Sequence, residues 1–321
     1  MENCSNGTSN CSYLGGGQGL DGPGFGVFSL LMSLLSVALC ALTILTIAAL
    51  CMAQTMSKHL RIFLINILVG VLVMGIAFVL FTTLSVILVF AKPKLPPIYF
   101  CHVVAYTLGV GVFSRPLNLA LYSLVVLITV RFGQKDWKIL YSGLAVAINW
   151  LVVLVITLTY LPPSMAAVQY FDGVACFPDE DTGSEGVQVA LRYIRTAIIV
   201  FGNLTPFAIS IVTPVYCLCY IRRHSISGDT IYKKAISRLA LFLVTGNAVN
   251  VVGNLLIILT AALSNASASV YFLYGVGVLS LFPAPIFIIM FLKAVRDQMR
   301  AIITCHRSHS HQVQPQVPVE K

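Results

Sequence analysis

The sequence predicts an all-α fold, a seven-transmembrane helix bundle with an extracellular N-terminus and a short C-terminal amphipathic helix. Three observations lead there. The 321 residues are 58% hydrophobic and only 10% charged, with a mean hydropathy of +0.91. A soluble domain carries about a quarter charged residues, so this chain lacks the polar surface to cover a soluble globule. The charges collect in short segments, and the apolar runs between them each exceed the ~20 residues that cross the hydrocarbon core as a helix.

Seven spans follow from those runs: 26–53, 61–91, 101–130, 139–161, 193–221, 236–263 and 269–292. Leu239 to Leu292 carries no charge and is too long for one span, so "LSNASAS" (263–269) marks the break between the last two. The chain then divides into an extracellular glycosylated tail (1–25), the helix bundle (26–300) and a disordered cytoplasmic tail (301–321). The last of these, ending "HQVQPQVPVEK", has the polar, Pro- and Gln-rich composition of disordered segments.

Two signals orient the bundle. With the N-terminus outside, fifteen of the twenty Lys and Arg residues fall in cytoplasmic segments, which is the positive-inside pattern. The formal charge of +9 is thus a membrane-leaflet effect, and no nucleic-acid partner is implied. Glycosylation acceptors occur at Asn3, Asn6 and Asn10 in the N-terminal tail and at Asn265 after the sixth span, all on the outer side. The expected location is the plasma membrane, as a multi-pass protein.

Among the nine cysteines, Cys101 begins the third span and Cys176 lies in the long outer loop. Both face the oxidising side, where disulfides persist, and a Cys101–Cys176 bridge is expected. Cys305, past the seventh span in a basic context, is a palmitoylation candidate or a free thiol. No nucleophile–base pair, metal-ligand cluster or phosphate loop is present, so catalysis, a metal and a cofactor are not expected.

Seven spans, a basic first inner loop, a third-span cysteine and an outer-loop cysteine together resemble a divergent rhodopsin-like (class A) G-protein-coupled receptor. Trp150 in the fourth span, Pro162 near its outer end, Pro206 in the fifth and "FPAPIFIIMFLKAVRDQMR" (282–300) carry the likeness further. The last looks like the end of the seventh helix turning into a membrane-surface helix. "PLNLALYSLVV" in the third span is similar to stretches of fish odorant receptors. Several motifs depart from the family. Val71 stands where its sodium-binding aspartate belongs. The sixth span lacks the C-W-x-P pattern. Ala284 and Ile288 replace the Asn and Tyr of N-P-x-x-Y. Counted from Cys101, Val125-Val126-Leu127 stands at the D-R-Y position, while sliding five residues gives Val130-Arg131-Phe132, which keeps the arginine but breaks the spacing. The resemblance implies a small-molecule ligand and a heterotrimeric G protein as partners, and the departures put conventional coupling in question.

The central oddity is "VFSRPLN" (112–118). Arg115 is the fifteenth residue of a thirty-residue span, so it lies at mid-membrane. A charge there costs about 2.5–3.5 kcal/mol on insertion scales and must face the bundle interior or a wet cavity. All eleven acids fall in loops or tails. The expected partners are therefore neutral: Asn118 on the same face, Asn247, Asn250 and Asn254 as a polar stripe in the sixth span, and the carbonyl freed by Pro116. By the resemblance Arg115 falls beside the family's sodium pocket, where its guanidinium would stand in for the cation. Two other readings stand open beside it: a tie between helices, and a contact for an anionic ligand.

Three functions follow. The first is a receptor that binds a small, chemosensory-type ligand among its helices, with Tyr106, Phe113, Tyr193, Tyr271 and Tyr274 as candidate contacts. The second is a receptor-like protein that no longer signals and acts through partners. The third is a small transporter or channel, disfavoured by the lack of an inverted repeat.

Overall fold

The structure is a computed structural model. It describes residues 23–54, 56–91, 98–132, 139–160, 168–171, 175–178, most of 190–223, and 275–304, with isolated positions of the sixth span. Four long helices open the fold: α1 (Pro23–Met52), α2 (Lys58–Ala91), α3 (Ile98–Phe132) and α4 (Ile139–Tyr160). Their ends fall within three residues of the predicted spans. Lipid offers no water to backbone amides, so an apolar run of this length satisfies itself only as a helix.

Their polar residues are absorbed by the same logic. Thr43, Thr46, Thr82, Ser123 and Thr157 are buried, and each hydroxyl donates to the carbonyl four residues earlier, at 2.7–2.8 Å. A hydroxyl can thus sit in the bundle without a tertiary partner.

The outer segment after α4, read as loop, contains a strand pair that the all-α expectation lacked. β1 (Val168–Phe171) pairs antiparallel with β2 (Ala175–Pro178), placing Tyr170 opposite Cys176. The hairpin lies against α3.

The fifth span is not the unbroken helix expected over 193–221. A π-turn at Val200–Leu204 precedes α5 (Thr205–Arg223). Pro206 in the first turn of α5 has no N–H for the carbonyl of Gly202, and a wider turn is how a helix absorbs that loss. The Thr205 hydroxyl bonds the Val200 carbonyl at 3.0 Å, across the widened turn.

The predicted sixth span, 236–263, lies almost wholly outside the described residues. The seventh is helical at 275–279, turns at 280–282, and resumes as α6 (Pro283–Phe291). At the turn the bonding tightens to i→i−3: Leu281 N–H to Val278 and Phe282 N–H to Leu279. Leu292 is extended, and α7 (Lys293–Ile303) leaves at 99°. It buries Val295 and Met299 and exposes Lys293, Asp297 and Arg300, the pattern of a surface-lying amphipathic helix. It rests on α1 and runs three residues past Arg300, where the sequence reading ended it.

Among the described residues five helices are long and apolar enough to cross a membrane, and the bent pair ending in α7 makes a sixth candidate. Two apolar layers hold them together. One gathers Phe63, Leu64, Leu119, Tyr122, Val126, Cys217 and Ile288, with Val295 of α7. The other gathers Leu39, Val71, Phe78, Phe81, Val104, Val278 and Leu281.

Candidate functional site

Two polar centres are built around α3 from residues one turn apart. Asn118 organises the first, Arg115 the second.

Asn118 is 1% exposed and Asn66 of α2 is 4% exposed. The Asn118 carbonyl Oδ1 accepts from Asn66 Nδ2 at 3.0 Å and from Asn149 Nδ2 of α4 at 2.6 Å. The Asn118 amide Nδ2 donates to the Asn66 backbone carbonyl at 3.1 Å. Trp150 Nε1 donates to Asn66 Oδ1 at 2.7 Å, closing the group. The side-chain oxygens of Asn66 and Asn118 are both used, and three helices are tied by the group. Gly70 makes the approach possible: a Cβ there would lie 2.8 Å from Asn118 Nδ2 and 3.2 Å from Ser114 Oγ. One turn further along α3, a Cβ on Gly111 would meet Met74 of α2, including its backbone Cα at 3.0 Å. Small residues here let two backbones come together in a setting where lipid gives no hydrophobic push.

Arg115 turns the other way, toward the seventh span. Its Nη1 donates to Ser280 Oγ at 3.1 Å, and its Nη2 donates to the Ser280 backbone carbonyl. The Ser280 hydroxyl passes the chain on to the Gly277 carbonyl at 2.8 Å. The reason Ser280 has a carbonyl to offer lies in the sequence. The tightened turn at 280–282 would next pair that carbonyl with the N–H of residue 283, and residue 283 is proline. The guanidinium takes the place of the missing donor.

The expected partners of Arg115 fare differently. Asn118 belongs to the other centre, because its amide is consumed by α2 and α4. The Pro116-freed carbonyl is not used by Arg115. Asn247, Asn250 and Asn254 lie outside the described residues. Ser280 went unmentioned in the sequence reading. The signal for it was present, as a serine preceding a Phe-Pro-Ala-Pro break in a charge-free run.

Other candidates are placed as follows. Phe113 is 3% exposed and lies 3.5 Å from the position a Cβ on Gly202 would take, so it is sealed between α3 and the π-turn. Tyr106 is partly exposed in α3, and Tyr193 is 74% exposed. Tyr271, Tyr274, Asn3, Asn6, Asn10, Asn265 and Cys305 lie outside the described residues. Cys101 is in α3 and Cys176 in β2, and these two elements touch. Their side chains are outside the described set. Val71, at the place of the family's acid, is 1% exposed and packed among hydrocarbon.

A last feature belongs to neither centre. The Tyr122 hydroxyl is buried in the apolar layer, with its ring 6.5 Å from that of Phe63, and has no hydrogen-bond partner among the described residues.

No family model matches the sequence, and no curated protein matches it. Among solved structures the chain is similar to squid rhodopsin, with a TM-score of 0.69 at 13% sequence identity, over 88% of this chain and 82% of that one. The chain therefore has the rhodopsin-like seven-helix fold that its motifs led one to expect.

Proposed function

We propose that this protein is an integral membrane receptor of the G-protein-coupled type, binding a small ligand within its helix bundle and responding by helix rearrangement. The observation that carries the reading is the Arg115–Ser280 contact. It joins the third and seventh helices at the point where the seventh is broken. A contact of a few hydrogen bonds at a break is one that a ligand can make or release, biasing two helix arrangements. In this reading the N-terminus is outside and glycosylated at Asn3, Asn6, Asn10 and Asn265. A Cys101–Cys176 disulfide holds the hairpin over the bundle, Cys305 carries a lipid, and the protein resides at the plasma membrane. The candidate ligand contacts in this reading are Tyr106, Phe113, Tyr193, Tyr271 and Tyr274, the last two outside the described residues.

A second reading is favoured by Val125-Val126-Leu127 at the D-R-Y position and by Ile288 in place of tyrosine. A bundle of this fold without those groups associates with partners and does not activate a G protein. Cells expressing the full chain separate the two. The receptor reading predicts G-protein activation, constitutive or evoked by a ligand found through thermal stabilisation. Ligand-induced stabilisation with no activation of any G-protein class contradicts it and leaves the second.

A further inference from the structure

We infer that Arg115 forms a binding site for a small, singly charged anionic group at the centre of the bundle. Four observations converge on it. Arg115 is the charge at the middle of its span, and every Asp and Glu of the chain lies outside the spans predicted from the sequence. No salt bridge neutralises it among the described residues. A guanidinium has five N–H donors, and Ser280 takes two of them, one on its hydroxyl and one on its carbonyl. Three N–H groups, including Nε–H, have no acceptor among the described residues. Finally, Arg115 keeps accessible surface while Ser114 and Pro116 on either side of it are buried.

The chemistry of the site follows. Ser280 contributes only neutral acceptors, so the positive charge stays uncompensated. The two bonds to Ser280 fix the plane of the guanidinium and leave at most two of the remaining donors to converge on one small partner along a shared edge. A carboxylate or a chloride-sized ion meets up to two donors and a full charge in a medium of low dielectric, where such pairing is strongest. A divalent or bulky hydrated anion matches neither the single charge nor the depth. The occupant is thus an inorganic monovalent anion or the acid group of a small organic ligand. The inference does not need the receptor reading, because anion binding is measured without any signalling readout.

The test is thermal unfolding of the purified full chain in nanodiscs, at constant ionic strength with gluconate as the bulky reference anion. Chloride and short carboxylates such as acetate and butyrate are titrated separately against it. Anything that binds the folded state raises Tm in a saturable way. The inference predicts a saturable rise of a few degrees with at least one of the two. Response to chloride alone identifies the inorganic source, and response to carboxylates alone identifies a ligand's acid group. Exchange of sodium for potassium leaves the rise unchanged. Arg115→Gln, which can still donate to Ser280, abolishes it. If Arg115→Gln does not fold, Arg115→Lys keeps the charge without the planar fork and raises the half-saturating concentration at least severalfold. No rise with either anion, an undiminished rise in Arg115→Gln, or an unchanged half-saturation in Arg115→Lys overturns the inference.

Discussion

Asn118 and Arg115 stand three residues apart on α3, yet they make opposite kinds of polar centre. The Asn118 knot is closed. Asn66, Asn118, Asn149 and Trp150 are neutral, and the side-chain oxygens of Asn66 and Asn118 are both engaged within the group. The Arg115 centre is open. Its charge has no counter-charge, and three of its N–H groups have no acceptor among the described residues. Inside a low-dielectric bundle a fully satisfied network rigidifies, whereas a half-satisfied one is costly to keep. The comparison teaches that the first is there to hold α2, α3 and α4 together, and that the second is held for what it meets.

Substitutions sharpen that contrast. The largest effect is expected at Asn118→Leu, which strands the Nδ2 donors of both Asn66 and Asn149. It should cost about 2–3 kcal/mol, read as a fall in Tm in detergent or nanodiscs. Gly111→Val comes next. Its side chain would run into the Met74 backbone and push α2 from α3, at a cost of about 1–3 kcal/mol by the same measurement. Tyr122→Phe should go the other way. It removes a buried hydroxyl that has no partner among the described residues, so Tm should rise by the equivalent of about 1 kcal/mol. The smallest change is expected at Arg115→Met. The loss of the Ser280 bonds is offset by removing a buried charge, leaving a difference within about 1 kcal/mol.

The sequence carried most of the architecture because a membrane makes its demand in one dimension. A charge-free run of sufficient length must be a helix, and the ends of the first four helices were legible to within three residues. The breaks were harder to see. Pro206 was visible, but the π-turn that absorbs it depends on Gly202 fitting against Ile156 and Phe113, a tertiary fact. The hairpin at 168–178 was hidden in a loop whose polar composition gives no alternation over the whole segment. At the centre, Arg115 and Asn118 were both recognisable as buried polar groups, but their partners were not. Spacing put them on one helix face and suggested one shared network. The structure splits them because Asn66, in an otherwise apolar second span, and Asn149, beside Trp150, close on Asn118 first. Ser280 became a partner only because Pro283 withholds an N–H, and such a vacancy is a property of backbone geometry that residue identity alone does not announce.

The central claim is that the two centres differ in kind, one structural and one for binding. Parallel melts of Asn118→Leu and Arg115→Met, each with and without the anion that stabilises the unmodified chain, test it most directly. The account predicts that Asn118→Leu loses stability heavily in both conditions and still responds to the anion. Arg115→Met keeps its stability in the anion-free condition and loses the response. If Arg115→Met is as damaged as Asn118→Leu without the anion, or still responds to it, Arg115 is one more structural tie and the distinction fails.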